Sequence, residues 1–164
     1  MKRYIKCDTI PDNAFDPDQD VRFQIAARTG SAELLEIYSH DPSWWVRSEV
    51  ARNPYTPADI LQELVHDDNC GVRELIPSNP NVTDQLLAEL ADDPERSVRC
   101  AVATGDATPV EILEKLSYDE DDKVRAYVTF NSNLPDEALI RLSKDPSNMV
   151  KLYAIQAART RLGY

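Results

Sequence analysis

The feature that most constrains this chain is a repeat of about 26 residues that runs through almost its whole length. A valine followed by a basic residue recurs six times, and successive valines are 25, 26, 26, 26 and 26 residues apart. An aspartate stands five residues before each of them. The valines are Val21, Val46, Val72, Val98, Val124 and Val150, and the aspartates are Asp16, Asp41, Asp67, Asp93, Asp119 and Asp145. Such a period predicts repeats that stack and bury their apolar faces against one another.

The residues around each valine predict the first helix of a repeat. The residue four positions after the valine is usually apolar, which places both side chains on one helix face. Asn53-Pro54 and Asn79-Pro80 are predicted to end this helix, because the residue before proline is disfavoured in helical geometry. Four repeats begin with Asp-Pro, which predicts an aspartate N-cap followed by proline at the first helical position, at Asp16, Asp41, Asp93 and Asp145.

The second half of each repeat predicts another short helix. Thr56-Pro57 and Thr108-Pro109 are expected to cap and open it, and an acidic residue follows near its positive end. Its buried stripe is predicted at Ile60, Leu61 and Leu64 and at the equivalent residues of the next three repeats. Since no segment alternates as a strand would, the predicted class is all-α.

One repeat domain, 1–164, is therefore expected. Residues 1–15 form an N-terminal cap, repeats start near 16, 41, 67, 93 and 119, and 145–164 form a C-terminal capping helix that runs on to about Leu162.

The segment from Val46 to Pro57, with Ile60-Leu61 and Leu64 after it, resembles the bacterial leucine-rich repeat variant family, and the likeness extends over about residues 16–160. It implies a right-handed superhelix of alternating α and 3₁₀ helices without β-strands, although 3₁₀ geometry in each repeat stays open. The aspartate before Val-Arg is also similar to HEAT repeats. One type of family member holds an iron–sulfur centre in an N-terminal cysteine cluster. Because only Cys7 lies in that region here, no cofactor is expected.

Two columns of opposite charge are candidates for a structural ladder. The basic column is Arg22, Arg47, Arg73, Arg99, Arg125 and Lys151, in fixed register with the six aspartates. Each arginine is expected to bond an aspartate of its own or a neighbouring repeat. The alternative is an anion-binding groove.

Trp44 and Trp45 occupy slots that are mostly polar in the other repeats, so at least one indole is expected to be exposed. Exposed tryptophan is enriched at interaction hot spots. Arg52 and Tyr55 are the candidate neighbours of this partner-binding site. The alternative is local packing over the short loop of the 25-residue repeat.

Other candidate sites are weak. Gly71 and Pro77 should shorten the first helix of the third repeat. The two interpretations of this departure are a hinge used in partner binding and neutral sequence drift. His40, His66 and Cys70 lack the spacing of a metal centre, so no metal is expected and the question stays open. No phosphate loop or nucleophile motif occurs, and the chain is expected not to be an enzyme.

The charge indicates the kind of partner. Eighteen basic and 29 acidic residues give a net charge of −11, which disfavours nucleic acid. Residues 141–164 are the exception, with five basic residues against Asp145 alone. No apolar run could span a membrane and no secretory leader opens the chain, so a cytoplasmic location is expected. The three scattered cysteines, Cys7, Cys70 and Cys100, are expected to be reduced thiols.

These features together predict a non-enzymatic, monomeric scaffold that binds another protein with a basic surface, without contact to nucleic acid or membrane. The alternative is an acidic decoy that occupies the basic groove of a nucleic-acid-binding protein.

Overall fold

The structure, a computed structural model, describes residues 14–162, and these form helices and connecting turns without a β-strand. The predicted all-α class is confirmed. The chain divides into two compact units, residues 1–81 and 82–164. The predicted N-terminal cap, 1–15, lies outside the described residues except for Ala14 and Phe15.

The N-terminal unit contains five α-helices and one 3₁₀ helix among its described residues. They are α1 (Gln19–Arg28), α2 (Ala32–Ser39), α3 (Trp44–Arg52), α4 (Ala58–Leu64), α5 (Cys70–Arg73) and the 3₁₀ helix Ile76–Ser78. The first helices of successive repeats pack on one another, α1 on α3 and α3 on α5, while α2 contacts α4 in a second layer.

In the C-terminal unit the first helices of successive repeats again pack on one another. Its helices are α6 (Asp84–Leu90), α7 (Arg96–Thr104), α8 (Val110–Leu116), α9 (Asp122–Val128), α10 (Asp136–Leu142) and α11 (Asn148–Leu162). Helix α7 packs on α9, α9 packs on α11, and α8 and α10 each contact the helix that follows them. The predicted long C-terminal helix ending near Leu162 is confirmed by α11.

The apolar positions of the repeat form the core. Val46, Val72, Val98, Val124 and Val150 are fully buried, and Val21 in the first repeat is half-buried. The predicted stripe of the second helices is also buried, including Leu61, Leu87, Leu113 and Leu139 at its centre. The periodicity of the sequence therefore identifies the core correctly.

The predicted N-caps are wrong. Helices α1 and α3 begin three residues after the expected aspartates, with Asp18 and Ser43 at their N-caps. Each ladder aspartate instead forms a turn just before the helix, because its carboxylate Oδ1 accepts a hydrogen bond from the backbone N–H two residues later. This Asx turn is an alternative to capping for an aspartate that precedes a helix.

The predicted threonine N-caps are also wrong, because each helix begins later than expected. Pro57 and Pro109 occupy the N-cap positions of α4 and α8. The hydroxyl of Thr56 donates to the carbonyl oxygen of Val50 at 2.5 Å, and Thr108 donates to Val102 at 2.6 Å. Both threonines are buried, so they join the second helix of a repeat to the end of its first.

Helix type is α throughout the described residues except at Ile76–Ser78. There the first helix of the third repeat ends at Arg73, and a 3₁₀ turn containing Pro77 completes it. The shortening expected from Gly71 and Pro77 is observed, and Asn53 and Asn79 stand at the C-caps as predicted.

Candidate functional site

The charged columns form a ladder that joins successive repeats within each of the two units. Arg99 donates from Nε to Oδ2 of Asp119 at 2.8 Å and from Nη2 to Oδ1 at 3.1 Å, a bidentate pair. Its Nη1 donates to the carbonyl oxygen of Asp93 in its own repeat at 2.9 Å. The same pattern joins Arg22 to Asp41, Arg47 to Asp67 and Arg125 to Asp145. One guanidinium therefore bridges two repeats, and its donors are used in bonds within the protein.

These ion pairs are largely shielded from solvent. The side chains of Arg99 and Asp119 are only 11% and 8% exposed. The hydrogen bond from Arg125 holds the pKa of the Asp145 carboxyl below its ordinary value, and the carboxylate of Asp119 raises the pKa of Arg99.

Three further residues of the ladder columns, Arg73, Asp16 and Lys151, make other contacts. Nη1 of Arg73 donates to the carbonyl oxygen of Asp67 at 2.7 Å. The carbonyl oxygen of Asp16 accepts from Arg22. Lys151 is half-buried in α11, and its charge contributes to lowering the pKa of Asp145.

A second column, of buried asparagines, was missed by the sequence analysis. Nδ2 of Asn79 donates to the carbonyl oxygens of Ala51 and Asn53 at 2.8 and 2.9 Å, and Asn131 makes the same two bonds to Ala103 and Gly105. The 26-residue spacing of Asn53 and Asn79 was available as a signal, but was interpreted only as a helix stop.

Phe23, Trp44 and Trp45 form an exposed aromatic corner in the N-terminal unit. The Trp45 ring stacks on Phe23 with centroids 5.6 Å apart and stands nearly perpendicular to Trp44, at 83° and 5.0 Å. The two tryptophans remain 41% and 48% exposed. On its other side Trp44 lies over Gly71, where a Cβ would come within 3.3 Å of its Cζ3 atom. The sequence analysis missed both supporting residues.

Arg52 and Tyr55 do not join this corner. Arg52 is the last residue of α3, about 12 Å from Trp44 along the helix axis, and Tyr55 follows beyond the C-cap Asn53. Arg52 pairs with Glu49 at 3.5 Å, and the ring of Tyr55 lies across the backbone at Gly30. Both are exposed, so the four predicted partner-binding residues form two separate patches.

His40 belongs to a third set of contacts between repeats. Its Nε2 lies 3.5 Å from Oε2 of Glu63, and the equivalent slots pair Asp92 with Lys115 and Tyr118 with Arg141. Glu36, His40 and Glu63 could bring three ligand atoms within 4.8 Å of one another, but all three are exposed. The group includes neither His66 nor Cys70, and the recurrence of the slot explains it as a packing contact.

No helix within 14–162 is long and apolar enough to cross a membrane. Burial raises the pKa of the Cys100 thiol to about 11, which keeps it protonated and unreactive near neutral pH.

Comparison with known proteins shows which repeats this chain resembles. Residues 44–69 match the family model described as leucine rich repeat variant. The fold matches a solved structure described as a leucine-rich repeat variant with a novel repetitive structural motif, with a TM-score of 0.71 and 28% identity over 88% of this chain. An engineered protein also matches, with 15% identity, a TM-score of 0.48 and coverage of 94% of this chain and 98% of its own.

The chain spans 58% of the length of the leucine-rich repeat variant protein it matches. No curated protein sequence matches it. The resemblance inferred from Val46–Pro57, to the helical repeats of leucine-rich repeat variant proteins, is therefore confirmed by both the family model and the structural match.

Proposed function

We propose that this protein is a non-enzymatic scaffold, and that its aromatic corner binds a basic segment of another protein. The observation that carries this proposal is the exposure of Trp44 and Trp45 while neighbouring side chains fix their orientation. Rigid, half-exposed tryptophans provide a large contact area with little loss of conformational entropy on binding. Repeat frames of this kind present extended binding surfaces.

The charge of the N-terminal unit determines the chemistry of the partner. Residues 14–81 hold twelve acidic and five basic side chains, a net charge of −7. Arg22 and Arg47 are occupied by the ladder. The excess of carboxylates attracts a basic segment, and the exposed parts of the two indoles can pack against an arginine or lysine side chain.

The test is affinity purification from cells that make the protein, followed by titration of the captured partner's basic segment as a synthetic peptide. A Trp44→Ala, Trp45→Ala double variant should weaken peptide binding by at least about 30-fold. Leu152→Ala removes an exposed apolar side chain in the other unit and is the matched control, expected to leave affinity within about twofold. Equal affinity of the double variant and the wild type would overturn the proposal.

Salt distinguishes this function from that of an acidic decoy. A complex anchored by tryptophan should lose only the part of its affinity that the surrounding carboxylates supply as ionic strength rises, since its apolar contacts are not screened. A decoy held by charge alone should lose affinity steeply between low and moderate salt.

A further inference from the structure

A second aromatic surface lies in the C-terminal unit and is chemically unlike the first. The rings of Phe130 and Tyr153 have centroids 5.1 Å apart, and Tyr127 packs edge-on against Phe130 at 6.1 Å. Tyr127 and Phe130 are 44% and 56% exposed. A groove of about 250 Å³ opens beside Phe130, between the end of α9 with its following loop and one face of α11.

The groove is apolar and has a formed base. Phe130, Tyr153 and Ala157 contribute its apolar wall, and the Arg161 guanidinium donates to the backbone carbonyl oxygens of Leu134 and Asn131. These bonds join α11 to the loop at that edge of the groove. A volume slightly below that of a small-molecule pocket suits one large apolar side chain of a partner.

The lining of the groove and helix α11, which forms one of its sides, hold no acidic side chain, although the chain as a whole is acidic. None of the described residues that line it is acidic, and Arg161 stands at its rim. Lys123 lies one turn before Tyr127 on α9, and Arg159 lies one turn after Gln156 on α11; both are exposed. Residues 141–162 carry five basic side chains against Asp145, whose carboxylate is bound by Arg125. A basic peptide, which suits the aromatic corner, would be repelled here.

We propose that this groove is a second docking site, which receives an aromatic or large aliphatic side chain from an acidic peptide segment of a partner protein. The apolar side chain would insert beside Phe130 and Ala157, and flanking carboxylates would face Lys123 and Arg159. Arg161, which is bound to backbone carbonyl oxygens, would add its positive charge at the rim. The scaffold then has two sites of opposite charge preference, one in each unit.

The experiment uses the full chain and a fluorescent synthetic peptide with one central Phe flanked by Glu and Asp, followed by anisotropy. Two control peptides replace the acidic residues by Lys or the Phe by Ala. We expect the acidic Phe peptide to bind at least about tenfold more tightly than either control, because each control removes one of the two recognition elements. Equal binding of all three peptides, or no binding of the acidic peptide at millimolar concentration, would refute the proposal.

Two substitutions locate the site. Ala157→Trp fills the groove, and Phe130→Ala removes its exposed wall; each should weaken the acidic peptide at least about tenfold. The Trp44→Ala, Trp45→Ala variant is the matched control and should bind this peptide like the wild type. If the tryptophan variant loses the peptide and the groove variants do not, the acidic segment binds elsewhere and the proposal fails, whereas the test of the aromatic corner stands independently.

Discussion

Gly71 lies directly against the indole of Trp44, with 3.3 Å between the position that a Cβ would take and the Trp44 Cζ3 atom. The two residues are the most unusual occupants of their slots in adjacent repeats. Their contact explains both departures together: the large ring in one repeat needs the missing side chain in the next. The glycine therefore supports the aromatic corner, a contact that neither the hinge nor the drift interpretation anticipated.

Gly71→Ala should fail to stabilise the protein, although alanine normally gains up to about 1 kcal/mol over glycine inside a helix. The added methyl would lie 3.0 Å from Oδ1 of Asn69, which caps α5, as well as against Trp44. Urea unfolding together with tryptophan emission measures both effects. In a Trp44→Ala background the same change should be more favourable by about 0.5 kcal/mol or more, and additivity of the two substitutions would contradict the contact.

Removing one arginine–aspartate pair of the ladder should lower the free energy of unfolding. Arg99→Met leaves the buried carboxylate of Asp119 without its bidentate partner, for an expected loss of about 3 kcal/mol in the free energy of unfolding. Arg96→Met, which removes a half-exposed arginine 3.4 Å from Asp121, is the control and should cost less than about 1 kcal/mol. Chemical denaturation compares the two, and similar losses would show that burial does not strengthen the pair.

Acid should weaken the ladder. The pKa of Asp145 is lower in the folded protein than in the unfolded chain, so the stability it contributes is present above the unfolded value of about 4. That contribution is lost as the pH falls from there through the lower folded pKa. Unfolding free energies measured from neutral pH to about pH 3 should fall least in an Arg125→Met variant, which has already lost the pair. An unchanged acid dependence in that variant would contradict the assignment.

The asparagine column makes a separate prediction. Asn79→Ala leaves the carbonyl oxygens of Ala51 and Asn53 buried without their side-chain donor, so we expect a loss of about 2 kcal/mol. Asn133→Ala, which removes an exposed amide bonded to Asp106, should cost less than about 0.5 kcal/mol. Thermal and urea unfolding should agree on the difference.

Sequence analysis identifies most of the fold because its signal is periodic. The valine column and the leucine stripes recur at the repeat spacing, and their burial follows from helix geometry. Helix starts were misplaced because Asp-Pro fits an N-cap as well as an Asx turn, and local sequence does not distinguish the two. The arginine of the preceding repeat binds the same carboxylate from 20 residues away, a contact that lies outside any local sequence window.

The candidate site was less predictable for a related reason. The tryptophans stood out as single departures from a repeat, yet the residues that orient them, Phe23 and Gly71, lie in the preceding and following repeats. Tyr127, Phe130 and Tyr153 likewise come from two repeats, so no short motif contains them. Contacts of this kind depend on stacking, which fixes which slots become neighbours.

The arginine bridges also bear on how such a chain lengthens or shortens in evolution. Arg99 and Arg125 use the same atoms for the same two kinds of bond. Each donates to a backbone carbonyl oxygen of its own repeat and to a carboxylate of the next repeat. Duplication of a whole module therefore creates a junction that already has its donor and acceptor, and needs no compensating substitution. Gain or loss of a fraction of a module misaligns both partners at once, which confines viable length changes to complete periods.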